Sequence, residues 1–122
     1  MERVTLEEAL GLVERLGFYV RDEGLLESAL ARSVASMFGQ PAYPLLPLAA
    51  AAQTESLARN HALVDGNKRT TFVLLNVFLS LNGARLEVEN DAFFDYILAV
   101  AQGKLSLEES AEFIARHLHP WP

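Results

Sequence analysis

Apolar residues recur three and four positions apart in several stretches of this chain, and each stretch is bounded by residues that start or stop helices. Leu6, Ala9, Leu10, Val13 and Leu16 follow Thr5 and Glu8, a pair spaced to satisfy each other's backbone N–H groups, and Gly17 comes next; the spacing predicts a helix over about 6–16. Phe18, Tyr19 and Val20 form a short β-prone link into the polar run Arg21-Asp22-Glu23-Gly24. A second helix is predicted from about Leu25 to Phe38, with Leu25, Leu26, Ala29, Leu30, Val34, Met37 and Phe38 apolar and Gly39 as its stop. Three of the five prolines fall within 39–47, which excludes helix there and predicts an extended loop or a small hairpin. Pro47 suits the first turn of a third helix running to about His61, and the alanines at 49–52 favour close packing.

A break at Val64-Asp65-Gly66 precedes a helix predicted over about 67–81. Phe72, Val73, Leu74, Leu75, Val77, Phe78, Leu79 and Leu81 put apolar groups nearly all round it, a pattern that predicts a place at the centre of the domain. Asn82-Gly83 stops it, Ala84 to Glu89 reads as a short extended segment, and Asn90 is the expected cap of a helix over about 91–102. Ser106 with Glu109 repeats the capping box and opens a last helix to about Leu118, leaving Pro120-Trp121-Pro122 as a tail. The expected fold class is all-α: five to six main helices around a buried central helix, with a short loop or hairpin between the second and third.

Composition narrows this to one domain spanning 1–122, because 122 residues with 51% hydrophobic side chains can bury a core but fall short of the length at which chains divide. Sixteen acidic against ten basic residues give a net charge of −6, which argues against direct binding to nucleic acid. With no cysteine, thiolate catalysis, disulfide scaffolds and Cys-based metal sites are excluded. The N-terminus has acids at Glu2, Glu7 and Glu8 and no apolar targeting stretch, and no 18-residue run is free of charge and turn residues. Neither secretion nor membrane insertion is indicated, so a cytoplasmic location is expected.

One segment breaks the rules that the helices otherwise obey. Residues 59–69, Arg-Asn-His-Ala-Leu-Val-Asp-Gly-Asn-Lys-Arg, hold three of the ten basic residues, and two of them, Lys68 and Arg69, stand in the first turn of a helix. That end of a helix carries unpaired N–H groups and partial positive charge, so acids are favoured there and cations are destabilising unless an anion binds. Gly66 lets the backbone approach a ligand closely. Asp65 beside such an anion site is a hard oxygen donor suited to Mg²⁺, which binds through one carboxylate together with waters and substrate phosphates. His61, at the end of the preceding helix, has the chemistry of a general base. Taken singly, a histidine before a turn, an Asp-Gly-Asn turn and a Lys-Arg pair are ordinary surface features; gathered within nine residues they mark a site. The remaining histidines, His117 and His119, offer no metal-binding spacing with His61 and are expected to cap the last helix's carbonyls.

The nine residues His61-Ala62-Leu63-Val64-Asp65-Gly66-Asn67-Lys68-Arg69 resemble the core motif of the Fic/Doc superfamily, His-x-Phe-x-Asp/Glu-Gly/Ala-Asn-Gly/Lys-Arg. Lys68 is similar to the Doc branch. Arg21 to Leu30, Ser56 to His61 and Phe78 to Gly83 also resemble segments of that branch, and the likeness covers roughly 1–100. The resemblance implies that His61 deprotonates a hydroxyl of a target protein, that Asp65 holds Mg²⁺, that Asn67 contacts a nucleotide phosphate, and that Gly66 to Arg69 form an anion hole. Ordinary Fic members carry glycine in place of Lys68 and a second arginine where this chain has Phe72. Both differences point from adenylyl transfer towards a nucleotide bound in the opposite sense, with the γ-phosphate of ATP presented to the hydroxyl. The motif phenylalanine is Leu63 here, still apolar and expected to anchor the loop.

By the same resemblance, the target is a threonine of elongation factor Tu, whose modification halts translation, and a small antitoxin restrains the toxin in trans. The segment Ser106-Leu107-Glu108-Glu109-Ser110 lacks the last elements of an internal inhibitory helix. Ala42, Tyr43 and Pro44 fall where the family places a flap that docks the target; the alternative for them is a rigid interhelical loop. An adenylyltransferase using the same pocket and an inactive Fic-like binding module are the competing readings of the whole chain.

Overall fold

The computed structural model describes residues 1–122, and its element order is α1 (Leu6–Arg15), α2 (Glu23–Arg32), β1 (Ser36–Met37), β2 (Gln40–Pro41), α3 (Leu46–Asn60), α4 (Asn67–Leu81), β3 (Ala84–Leu86), α5 (Asn90–Ala101), α6 (Leu107–His117) and β4 (Leu118–Pro120). The strands form two small antiparallel pairs, β1 with β2 and β3 with β4, so the architecture is all-α. Both capping boxes form: the hydroxyls of Thr5 and Ser106 accept from the amides of Glu8 and Glu109, whose carboxylates accept from the cap residues' own amides. No helix is long and apolar enough to cross a membrane.

The helix at the centre is α3, not α4. Six consecutive residues of α3, Ala49 to Thr54, are all buried, and six residues cover more than one turn of about 3.6, so the helix is enclosed on every side. It packs against α2, α4, α5 and α6. Alanine makes this possible because its side chain lets four neighbouring helices approach one axis at short range. By contrast α4 buries one face, Thr70, Thr71, Leu74, Leu75, Phe78 and Leu79, and leaves Phe72 39% exposed. Of its remaining apolar positions, Phe72 and Val73 line a cavity, and Val77 and Leu81 pack half-buried against the edge of the core. Gln53, buried in α3, donates from Nε2 to the Leu74 carbonyl at 3.2 Å and ties the two helices together.

Five further expectations are corrected. The second helix stops at Arg32 instead of Phe38, because Ser33 donates its hydroxyl to the Leu30 carbonyl and the next amides, of Val34 and Ala35, close tight three-residue turns. The chain then folds into the β1–β2 hairpin through Phe38 (φ 53°) and Gly39 (φ 78°), and the apolar residues that prolonged the helical pattern, Val34, Met37 and Phe38, are exposed. The helix also starts earlier than its apolar pattern, at Glu23, because Asp22 caps it by accepting from the Leu25 amide at 3.0 Å. The chain end carries a strand that takes in Leu118 from the expected helix and Pro120 from the expected tail: β4 pairs with β3 in the register Ala84↔Pro120, Arg85↔His119, Leu86↔Leu118. His117 and His119 accordingly cap no carbonyls; His119 lies 3.1 Å from a carboxylate oxygen of Glu87 and the His117 ring packs on Phe113. At α5, Glu89 rather than Asn90 occupies the cap position, without a side-chain bond.

Every helix contributes to one cluster of 23 buried apolar residues. On its α5–α6 side, Tyr96 sits between Phe93 and Phe113, stacked on the latter at 4.1 Å, with its hydroxyl 2.6 Å from Ser110 Oγ. Burial pushes its phenol up to about 12 from 10.0, the hydrogen bond to Ser110 opposing the shift. A raised folded-state pKa means that the neutral form supports the fold, fully below the unfolded value and decreasingly as pH rises through 10 towards 12. Tyr96→Phe is therefore expected to flatten the decline of the urea midpoint measured between pH 9 and 12 (roughly the span of the shift). Ala51→Leu, which inserts three carbons among the four helices around α3, is expected to cost about 1–3 kcal/mol by urea unfolding at neutral pH.

Candidate active site

The connection between α3 and α4, residues 61–66, is fastened at three levels. Ala62 and Leu63 are buried in the core, so Leu63 does anchor the loop despite its smaller side chain. A backbone ladder joins the loop to the segment after α1: Val20 bridges Leu63, the Val64 amide donates to the Tyr19 carbonyl at 3.1 Å, and the Arg21 and Asp22 amides donate to the Ala62 carbonyl at 2.7 and 3.0 Å. Finally, the Asn67 side chain reaches back to Leu63, donating from Nδ2 to its carbonyl at 3.1 Å and accepting from its amide at 3.2 Å. Asn67 thus braces the loop with both ends of its amide, keeping one Nδ2 hydrogen and its backbone N–H for another partner.

His61 is the C-cap of α3 and lies exposed in the left-handed region at φ 51°, ψ 48°. Asp65 is exposed, with Oδ1 accepting from the Gly66 amide at 2.7 Å. No three His, Cys, Asp or Glu side chains cluster anywhere in the molecule as a metal cage. Asp65 is a single hard donor with a free oxygen, which fits an ion held chiefly by waters and phosphate oxygens, as Mg²⁺ is.

Gly66 caps α4 at φ 77°, and a Cβ added there would lie 2.4 Å from the Phe18 ring. Both facts demand glycine: the backbone angle is one that side chains resist, and Phe18 fills the space a side chain would take. The first turn of α4 has no acid and no side-chain cap. Lys68 and Arg69 join none of the molecule's ion pairs, and Lys68 Nζ lies 4.9 Å from the centroid of the Phe94 ring. A cavity of about 510 Å³ opens beside them between α4 and α5, walled by Phe72, Val73, Phe93, Phe94 and Ile97. Phe72 meets Phe93 edge-on at 4.6 Å. Cations at one end and aromatic faces along the walls are complementary to a ligand with phosphates at one end and a flat ring at the other.

The residues singled out in the sequence therefore divide. Gly66, Asn67, Lys68 and Arg69 occupy the start of α4, with Lys68 and Arg69 in the cavity wall, while His61 and Asp65 belong to the loop that enters the helix and do not line that cavity. Ala42, Tyr43 and Pro44 lie beyond it, on the return of the hairpin: the Ala42 amide donates to the Ala35 carbonyl at 2.8 Å, and the Tyr43 hydroxyl accepts from Arg32 Nε at 3.2 Å. The hairpin is exposed along both strands and at its turn, with Phe38 98% exposed. Sequence reasoning missed the cavity's second wall, Phe93 and Phe94, whose signal was an aromatic pair in the first turn of α5. It also missed Phe18 against Gly66, a contact that no local pattern announces.

The model of the Fic/DOC family matches residues 3–79. The match ends within α4, so Phe93 and Phe94 lie outside it. A protein of Mycolicibacterium smegmatis named Toxin Doc is 54% identical over 72 residues, 59% of this chain and 55% of that protein. The aligned part thus spans about half the length of this relative.

Gly66→Ala is expected to destabilise the protein by about 1–3 kcal/mol through the left-handed backbone and the clash with Phe18. Introduced into a Phe18→Ala background, the same change is expected to cost less, because only the backbone component remains; urea unfolding of the four proteins of the cycle gives the difference.

Proposed function

The chain belongs to the Fic/DOC family, and on that premise we propose that it is a toxin of a toxin–antitoxin pair that transfers the γ-phosphate of ATP to a threonine hydroxyl of a protein. The observation that carries this reading is the first turn of α4: no acid, no cap, two cations without carboxylate partners, and an aromatic-walled cavity beside them. Such a turn is poorly stabilised until an anion arrives.

In the proposed reaction His61 takes the proton of the acceptor hydroxyl while the hydroxyl oxygen attacks the γ-phosphorus; the bond from that phosphorus to the β-phosphate oxygen breaks, and ADP leaves. The proton passes from the imidazole to solvent. The amides and side chains of Gly66 to Arg69 oppose the negative charge of the phosphates, and their positions need no reorganisation during the transfer. Asp65 and the phosphates would hold Mg²⁺, which neutralises phosphate charge when bound. Lys68 stands where ordinary Fic members have glycine, and Phe72 where they have a second arginine. The exchange of an arginine for an aromatic wall favours a base over a phosphate at that end of the cavity, which supports the inverted nucleotide. The target by resemblance is elongation factor Tu, the effect an arrest of translation in the cytoplasm, and the restraint a small antitoxin bound in trans. The β1–β2 hairpin offers two short exposed strands for backbone pairing with a target. The relative's name, Toxin Doc, supports the toxin reading.

The test is label transfer from ATP radioactive at either the α- or the γ-phosphate, with purified protein, Mg²⁺ and elongation factor Tu. The expected result is transfer of γ-label alone, reduced by about 10²–10⁴-fold in His61→Ala. Transfer of α-label would instead make the protein an adenylyltransferase, and no His61-dependent transfer of either label would leave a binding module.

A further inference from the structure

Arg21 opens a polar run whose side chains have so far been given no part in the site, yet it bonds the α3–α4 connection through both its backbone and its side chain. Its backbone amide donates to the Ala62 carbonyl at 2.7 Å, and its guanidinium Nη2 donates to the carbonyl of His61. One residue thus holds two successive carbonyls. The guanidinium is in none of the molecule's ion pairs, and its only side-chain hydrogen bond is the one to His61.

What that bond holds is unusual. His61 and Phe38 are the two non-glycine residues at positive φ, and Phe38 closes a hairpin turn, where such angles are ordinary. At His61 the left-handed angle ends α3 instead of letting it run on. A branched backbone position pays for that conformation in crowding between Cβ and the carbonyl, and keeps it only where the surroundings leave no alternative. Leaving that conformation turns both φ and ψ of His61 and, with the end of α3 held, carries the peptide between His61 and Ala62 with them. Arg21 fixes the oxygen of that peptide, and Asn60 Oδ1 accepts from its nitrogen, the Ala62 amide, at 3.2 Å. In a right-handed conformation His61 would add a residue to α3, and its Cα–Cβ bond would swing round the helix axis, away from the start of α4.

We propose that Arg21 is a positioning residue: by gripping the His61 carbonyl it holds the left-handed backbone that sets the direction of the imidazole. The catalytic consequence rests on His61 being the general base of the proposed phosphotransfer; the backbone consequence does not.

The test uses Arg21→Met and Arg21→Lys in the full chain, read by NMR, amide exchange and kinetics. In Arg21→Met the HN–Hα coupling and carbon shifts of His61 are expected to move towards right-handed values, and exchange of the amides in 61–66 to quicken roughly tenfold, the scale of left-handed strain. The kcat is expected to fall about tenfold or more with KM for ATP within about twofold, and Arg21→Lys, which keeps a donor on a flexible stem, to recover part of the loss. In a His61→Gly background, where the left-handed angle carries no strain, Arg21→Met is expected to alter exchange less than about twofold. An unchanged His61 coupling, an exchange effect of equal size in the glycine background, or an unchanged kcat alongside a shifted coupling would each overturn the proposal. If Arg21→Met does not fold, Arg21→Lys and Arg21→Gln carry the same measurements. Absence of turnover in the unaltered protein counts against the proposed function, and the coupling and exchange data then decide the role of Arg21 by themselves.

Discussion

The connection between α3 and α4 must leave one helix and enter the next within six residues, and it does so with a left-handed residue at each end, His61 and Gly66. Those two backbone angles decide where α4 begins, and therefore where its unpaired amides, Lys68 and Arg69 point. The rest of the structure can be seen as what holds them: Leu63 sunk in the core, Asn67 bracing the loop from within, Arg21 and Val64 tying it to the strand-like segment after α1, and the ring of Phe18 against Gly66. None of these contacts is large. Together they place a strained backbone between two rigid helices, the arrangement in which strain persists.

The charge distribution follows the same logic. A chain with net charge −6 places two cations in the first turn of α4, where the positive end of the helix disfavours them, and leaves that turn without an acid. In α1, α2, α5 and α6 the first turns carry acids and, in α1 and α6, complete capping boxes, as helix electrostatics demands. Helix α3 also starts without an acid or a side-chain cap, but with Pro47 and no cation; the two cations mark α4 as the helix whose start is shaped by something other than its own stability.

Signals that act within four residues were legible in the sequence. The caps at Thr5 and Ser106, the proline start of α3, the limits of α4 and the density of polar chemistry in 59–69 all depend on near neighbours. Signals that depend on distant partners were not. The end of α2 is set by a hairpin its apolar residues do not reveal, and β4 exists because β3 lies beside it. The identity of the central helix is not a local signal either: large apolar residues in α4 predict deep burial, whereas small ones in α3 create it, since depth is decided by how closely neighbours can approach. In the site, His61 to Arg69 stood out as one segment, while Arg21, Phe18, Phe93 and Phe94 come from elsewhere in the chain and carry no motif of their own.

One consequence follows from α3 being both the axis of the core and the helix that ends in His61. Its alanines fix the lateral position of that axis, so a bulkier side chain at Ala49, Ala50, Ala51 or Ala52 displaces the far end of the helix along with its middle. A bulky substitution at any of these four alanines would therefore disturb the site from a distance, and would differ from a substitution within the site by lowering the melting temperature of the purified protein as well.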